Sequence, residues 1–117
     1  MLTIRSEQLK AFSQAEAKKF EDWMLVHLTK FFPARCVSQG EDKIRQAIRH
    51  SIQRASEYGL VSKRDVCKYI DHVAVFGRDF DIDQRFPWAS KILASQRIPS
   101  AKIRALSQAA QQHLTGL

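Results

Sequence analysis

No stretch of this sequence is apolar for more than a few residues, so no segment is expected to cross a membrane. The opening MLTIRSEQLK places no apolar stretch behind its charges, so no secretory signal is expected and the expected compartment is the cytoplasm. Cysteine is scarce. Cys36 and Cys67 stand 31 positions apart, with no CxxC and no paired histidines at ligand spacing, so no metal and no thioredoxin-like chemistry is expected. A catalytic cysteine would need a base, and spacing places none of His27, His50, His72 or His113 beside either thiol. A Gly-rich phosphate loop, GxSxG and HExxH are all missing. The expectation is a protein that is not an enzyme, with no catalytic residue and no cofactor.

What the chain does have is a core and a positive charge. With 117 residues, 44% of them hydrophobic, it can bury roughly two-thirds of its unfolded surface as one domain over 1–117. The formal charge of +7 invites a nucleic acid or an anionic surface. Its distribution argues otherwise. The basic excess is two in residues 1–35, two in 36–72, none in 73–96 and three in 97–117, and no basic run exceeds two residues. A phosphate-binding stripe is usually denser.

Apolar spacing reads as helix throughout. Ser6 can cap a long first helix of roughly seven turns, carrying Leu9, Phe12, Phe20, Trp23, Met24, His27, Leu28 and Phe31 and ending before Pro33. PARCVSQ forms a short helix closed by Gly40. A third helix from Glu41 to Tyr58 puts Ile44, Ile48, Ile52 and Ala55 on one face and Arg45, Arg49, Gln53 and Ser56 on the other. Gly59 is a left-handed stop with Leu60 beyond it. Ser62-x-x-Asp65 opens a fourth helix whose core face is Val66, Tyr69, Ile70, Val73 and Phe76, and Gly77 ends it. Pro87 starts a short helix with Trp88, Ile92 and Leu93, and Ser100 can cap a last one with Ile103, Leu106, Ala110 and Leu114. The expected fold is all-α: a compact single-domain bundle of five or six helices, the long N-terminal one packed on helices 41–58 and 63–76.

Three constellations invite chemistry. Asp79-x-Asp81-x-Asp83 copies the first acids of a calcium loop, but position six is Gln84 instead of Gly and position twelve is Ser90 instead of Glu. The plainer reading is a solvated turn whose acids pair with Arg78 or Arg85. Helix 41–58, the Tyr58–Val61 turn and the helix from Lys63 outline a helix-turn-helix, with Lys63, Arg64, Lys68, Asp71 and His72 outward. Asp65 and Asp71 would then oppose the phosphates. Asp22 near His27, and Asp71 beside His72, can be written as acid–base pairs, but neither has a third partner or nucleophile at recognisable spacing.

The central block also carries a resemblance. It runs from Gly40-Glu41 through Ile44-Arg45, Ile48, Ile52, Arg54-Ala55-x-x-Tyr58-Gly59-Leu60, Asp65-Val66-x-x-Tyr69-Ile70 and Phe76-Gly77-x-Asp79-Phe80-Asp81-x-Asp83 to Pro87-Trp88-Ala89. Ile4-Arg5-x-x-Gln8-Leu9-x-x-Phe12 and Phe32-Pro33-x-x-Cys36 extend it, so that it covers residues 4–93. In these positions the chain resembles a family of small, uncharacterised helical bacterial proteins. Their genes often lie beside those for type VI secretion spike proteins, spike-adaptor chaperones and toxic effectors. Gln84 stands where the family pattern has proline. The resemblance carries no catalytic residue. It implies a cytoplasmic bacterial accessory of chaperone, adaptor or immunity type, binding a toxin effector, spike protein or adaptor.

Such a protein is expected to bind through an exposed helix face and the 77–88 loop, with apolar anchors inside a charged rim. The residues singled out for it are Arg45, Arg49, Asp79, Phe80, Asp81 and Trp88. The positive charge would then match an acidic partner. The alternative is a small helix-turn-helix-like DNA-binding regulator touching phosphates with Lys63, Arg64 and Lys68.

Overall fold

A computed structural model describes residues 13–116. Among them are six helices and no strand: α1 (Gln14–Phe31), α2 (Pro33–Gln39), α3 (Glu41–Glu57), α4 (Lys63–Phe76), α5 (Pro87–Leu93) and α6 (Pro99–Thr115). No described helix is long and apolar enough to cross a membrane. The architecture is the all-α bundle that the apolar spacing predicts.

Two helix starts differ from expectation. α1 begins at Gln14, and Ser13 is its cap, accepting the Glu16 N–H at 3.2 Å. Its 18 residues make five turns, about 27 Å, instead of seven. Ser6, Leu9, Phe12 and the Ile4–Phe12 pattern lie outside the described residues. α6 starts at Pro99, whose fixed φ suits a first turn, and Ser100 sits inside that turn instead of capping it.

The other boundaries follow local chemistry. Ser62 caps α4 by accepting the Asp65 N–H at 3.1 Å. α3 ends in a Schellman turn: the Gly59 N–H reaches Ser56 O at 3.0 Å and the Leu60 N–H reaches Ala55 O at 2.9 Å. Gly59 takes φ 83°, which a residue with a Cβ adopts only under strain. Leu60 beyond it is fully buried, so the turn both stops the helix and anchors it.

Packing then orders the helices into a slab 41 × 37 × 20 Å, about two helix diameters thick. α3 and α4 form the centre, with α1 packed on both, α2 tucked against α1 and α3, and the α5–α6 pair leaning on α4 through α6. The core combines Phe20, Met24 and Leu28 of α1, Ile44, Ile48 and Ala55 of α3, and Val66, Tyr69, Ile70 and Val73 of α4. Ile103 and Leu106 add the α6 contribution. Trp23 and Phe31, which share the helical spacing of these residues, are 54% and 59% exposed. They fall on the adjacent stripe of α1, not on the Phe20–Met24–Leu28 line. Ser56 is buried, not outward, and its Oγ donates to Gln53 O at 2.7 Å.

Lys102 joins the two halves. Its Nζ donates to Tyr58 O at 2.9 Å and to Leu93 O at 2.8 Å, at the C-terminal ends of α3 and α5. Both ends carry negative partial charge, which is where a buried ammonium is best accommodated. Burial still pulls its pKa below the ordinary 10.5.

Candidate partner-binding site

Arg45 and Arg49 were expected on a free helix face. Instead they fold onto α1. Arg45 Nη1 donates to Glu21 Oε2 at 2.6 Å and Asp22 Oδ1 at 2.8 Å, and its Nε to Glu41 Oε2 at 3.0 Å. Arg49 Nη1 donates to Glu21 Oε1 at 3.1 Å. Glu21 is only 5% exposed, so two guanidiniums hold a buried carboxylate at the α1–α3 seam. Arg45, then Lys18, holds the Asp22 carboxyl below its ordinary pKa of 3.8. Arg45 is thereby a clamp between helices, while Arg49 keeps 58% of its side chain in solvent.

The 77–88 loop corrects the expectation more sharply. Phe80 and Asp81 are completely buried and are not available to a docking partner. Phe80 packs its ring 5.3 Å from Tyr69, and Asp81 Oδ2 receives Arg54 Nε and the Tyr58 hydroxyl, both at 2.5 Å. The loop turns inward because an acid in this position has a guanidinium and a phenol to neutralise it. Asp79 stays exposed, 3.8 Å from Arg54 Nη2. Asp83 accepts the Arg85 backbone N–H at 2.8 Å and the Arg85 guanidinium at 2.7 Å. Asp83 thus pairs with Arg85, as the solvated-turn reading has it, whereas Asp79 and Asp81 share Arg54 instead of Arg78, and Asp81 is buried instead of solvated. Arg78 instead lies 3.1 Å from His50 Nδ1. Trp88 is half-buried against Phe76 and Phe86, its ring centroid 5.4 and 5.9 Å from theirs.

A better-formed site lies where α1, α2, α3 and α4 meet. A pocket of about 320 Å³ opens there, inside the size range of ligand pockets of about 300–1,000 Å³. Its floor is apolar: Leu28, Phe32, Ile44, Ile48, Ile70 and Val73. Arg35, Lys43 and Arg78 line it too, and among the described residues no acidic one does. Ser51 also lines it, is 1% exposed, and its hydroxyl has no hydrogen-bond partner among the described residues. A buried hydroxyl left unpaired costs stability unless something from outside bonds it.

Lys63, Arg64 and Lys68 are exposed as expected, on one groove between α1 and α4. Lys19, Phe20, Trp23 and Cys67 complete its lining, around a volume of about 470 Å³. Asp71 and His72 are only partly exposed. Burial lowers the His72 pKa, and its Nδ1 bonds Lys68 O at 2.7 Å.

No family model, curated protein or solved structure matches the chain.

One grouping was invisible to sequence spacing. His27 Nε2 lies 2.8 Å from Asp71 Oδ1 and 3.9 Å from Cys67 Sγ. The acids adjacent in sequence, Asp22 for His27 and Asp71 for His72, are not the ones that pair. Cys67 and Asp71 are four apart on α4, one turn, and His27 faces them from α1. Only the α1–α4 packing brings them together, and no short-range pattern could have announced it.

Proposed function

We propose that this chain is a non-enzymatic, protein-binding accessory of a bacterial type VI secretion effector system, working in the cytoplasm as a chaperone, adaptor or immunity protein. The observation that carries the binding part is the pocket with an apolar floor and, among the described residues, three cations in its lining and no acid. An acidic partner segment with one apolar side chain fits it. The apolar group would fill the floor, acids would meet Arg35, Lys43 and Arg78, and a polar atom would bond the Ser51 hydroxyl. Apolar anchors in desolvated pockets dominate such interfaces, and the rim charges set partner choice and encounter rate. The secretion setting rests on the resemblance of residues 4–93.

The test is capture of partners from the bacterial host by the intact chain, followed by mass spectrometry. An effector or spike component should be retained, and Lys43→Glu combined with Arg35→Glu should lose it. Retention of nothing but ribosomal proteins and nucleic acid removes the reading.

The α1–α4 groove favours a second reading, a nucleic-acid-binding regulator. It gathers Lys19, Lys63, Arg64 and Lys68 around the exposed Trp23 ring. Cations for phosphate beside an aromatic ring for base stacking suit a nucleic acid. A gel shift against plasmid fragments at two salt concentrations tests it: binding that falls steeply with salt supports this reading, and the absence of any shift removes it.

A further inference from the structure

The Cys67, His27 and Asp71 side chains first suggest a proton relay, and their geometry is wrong for one. A relay puts the thiol on one imidazole nitrogen and the carboxylate on the other. Here both approach Nε2, at 3.9 and 2.8 Å. One nitrogen cannot both donate to the carboxylate and accept from the thiol. Burial, with help from Asp71, also pushes the Cys67 thiol up to about 11, far from a reactive thiolate.

Convergence on a single point is what a cation requires. We propose that His27 Nε2, Cys67 Sγ and Asp71 Oδ1 form a Zn²⁺ site at the α1–α4 seam, with water in the fourth position. The three donor atoms lie within 4.8 Å of one another. Tetrahedral zinc with bonds of about 2.0–2.3 Å sets donor separations of roughly 3.3–3.6 Å. The N–O pair must open slightly, the N–S pair close slightly, and the S–O pair, within 4.8 Å, settle to the same range, movements that side-chain rotation supplies. The mixed nitrogen, sulfur and oxygen set suits zinc better than a hard cation.

The surroundings fix the site. The His27 ring sits between Trp23 and Phe31, 5.2 and 4.8 Å from their centroids, so its orientation is set by packing. His27 and Asp71 keep 18% and 31% of their side chains exposed, and Cys67 lines the α1–α4 groove, which gives the ion a way in. On binding, the thiol proton leaves to solvent, the imidazole carries its proton on Nδ1, and zinc takes the Nε2 lone pair. The ion's charge offsets the burial that keeps the free thiol protonated.

The test is titration of the tag-free full chain with Co²⁺, followed by Zn²⁺. One Co²⁺ per chain should bind with a thiolate-to-cobalt charge-transfer band, and Zn²⁺ should remove that band. Cys36→Ser should leave it intact. Cys67→Ser should abolish it, and Asp71→Asn and His27→Gln should weaken binding by more than the about 10–100-fold typical of second-shell changes. Asp71→Asn keeps the side chain's shape, and circular dichroism without metal checks that each variant is folded. No charge-transfer band on the wild type, or an affinity unchanged in Asp71→Asn, overturns the site.

Discussion

Arg54 of α3 donates its Nε to the wholly buried Asp81 at 2.5 Å, and the hydroxyl of Tyr58, the residue that closes α3, donates to the same oxygen. This contact pulls the acidic loop into the protein and holds Phe80 against Tyr69. It also raises the Tyr58 phenol to about 12, through burial first and the Asp81 carboxylate second. Removing Arg54 leaves the wholly buried Asp81 carboxylate with the Tyr58 hydroxyl alone to compensate it. Arg54→Ala should therefore cost about 3–5 kcal/mol in chemical denaturation. Tyr58→Phe, which deletes one hydrogen bond and leaves the ion pair, should cost about 0.5–1.5 kcal/mol.

Tyr69 and Ser51 give the opposite sign. The Tyr69 ring is fully buried, yet its hydroxyl has no hydrogen-bond partner among the described residues. Tyr69→Phe should be neutral or stabilising by about 1 kcal/mol, whereas Tyr69→Ala should cost about 3–5 kcal/mol through the cavity it leaves. Ser51→Ala should likewise cost nothing in thermal unfolding and, if Ser51 bonds a partner, should weaken partner capture. That combination separates a binding group from a merely structural one.

Gly59 tests backbone conformation with nothing else changed. Beyond its two chain neighbours, no atom of the described residues lies within 4 Å of where a Cβ would stand, and φ is 83°. Gly59→Ala should cost about 1–2 kcal/mol, the strain of a left-handed residue alone, and Gly59→Asn should recover part of it. Equal melting temperatures for wild type and Gly59→Ala would contradict the Schellman turn.

Acid should weaken the fold in two stages. Burial lowers His72 from its ordinary 6.5, and burial with Arg78 and Arg54 lowers His50. The unfolded chain then takes up protons first, so stability is flat above 6.5 and falls as pH drops from there toward the folded values. A melting temperature lower at about pH 5.5 than at about pH 7.5, with the slope reduced in His72→Gln, is expected. Asp22 and Asp83, each held below 3.8 by arginine hydrogen bonds, act later. Their stabilisation is present above 3.8 and is lost as pH falls through their lowered values.

Periodicity made the core faces legible. Ile44, Ile48 and Ala55 on α3, and Val66, Tyr69, Ile70 and Val73 on α4, are all buried. Gly59 and Gly77 at positive φ end these helices where sequence places the stops. The site was less legible, for three physical reasons. Trp23 lies only one stripe away from Phe20 on the same helix, and spacing cannot tell which stripe faces inward until α3 and α4 are in place. Asp81 breaks the rule that acids stay outside, because its partner Arg54 comes from 27 positions earlier. The His27–Asp71 pair spans 44 positions, so it exists only once α1 docks on α4.

Site-specific photo-crosslinking in the bacterial host tests the pocket most directly. Ala47 lines the pocket and Arg64 lines the α1–α4 groove, so a photoreactive residue at each reports on one surface. Ala47 should yield an adduct with an effector or spike protein, lost when Lys43→Glu and Arg35→Glu are introduced. Adducts formed only from Arg64, and only with nucleic acid, would contradict partner binding at the pocket.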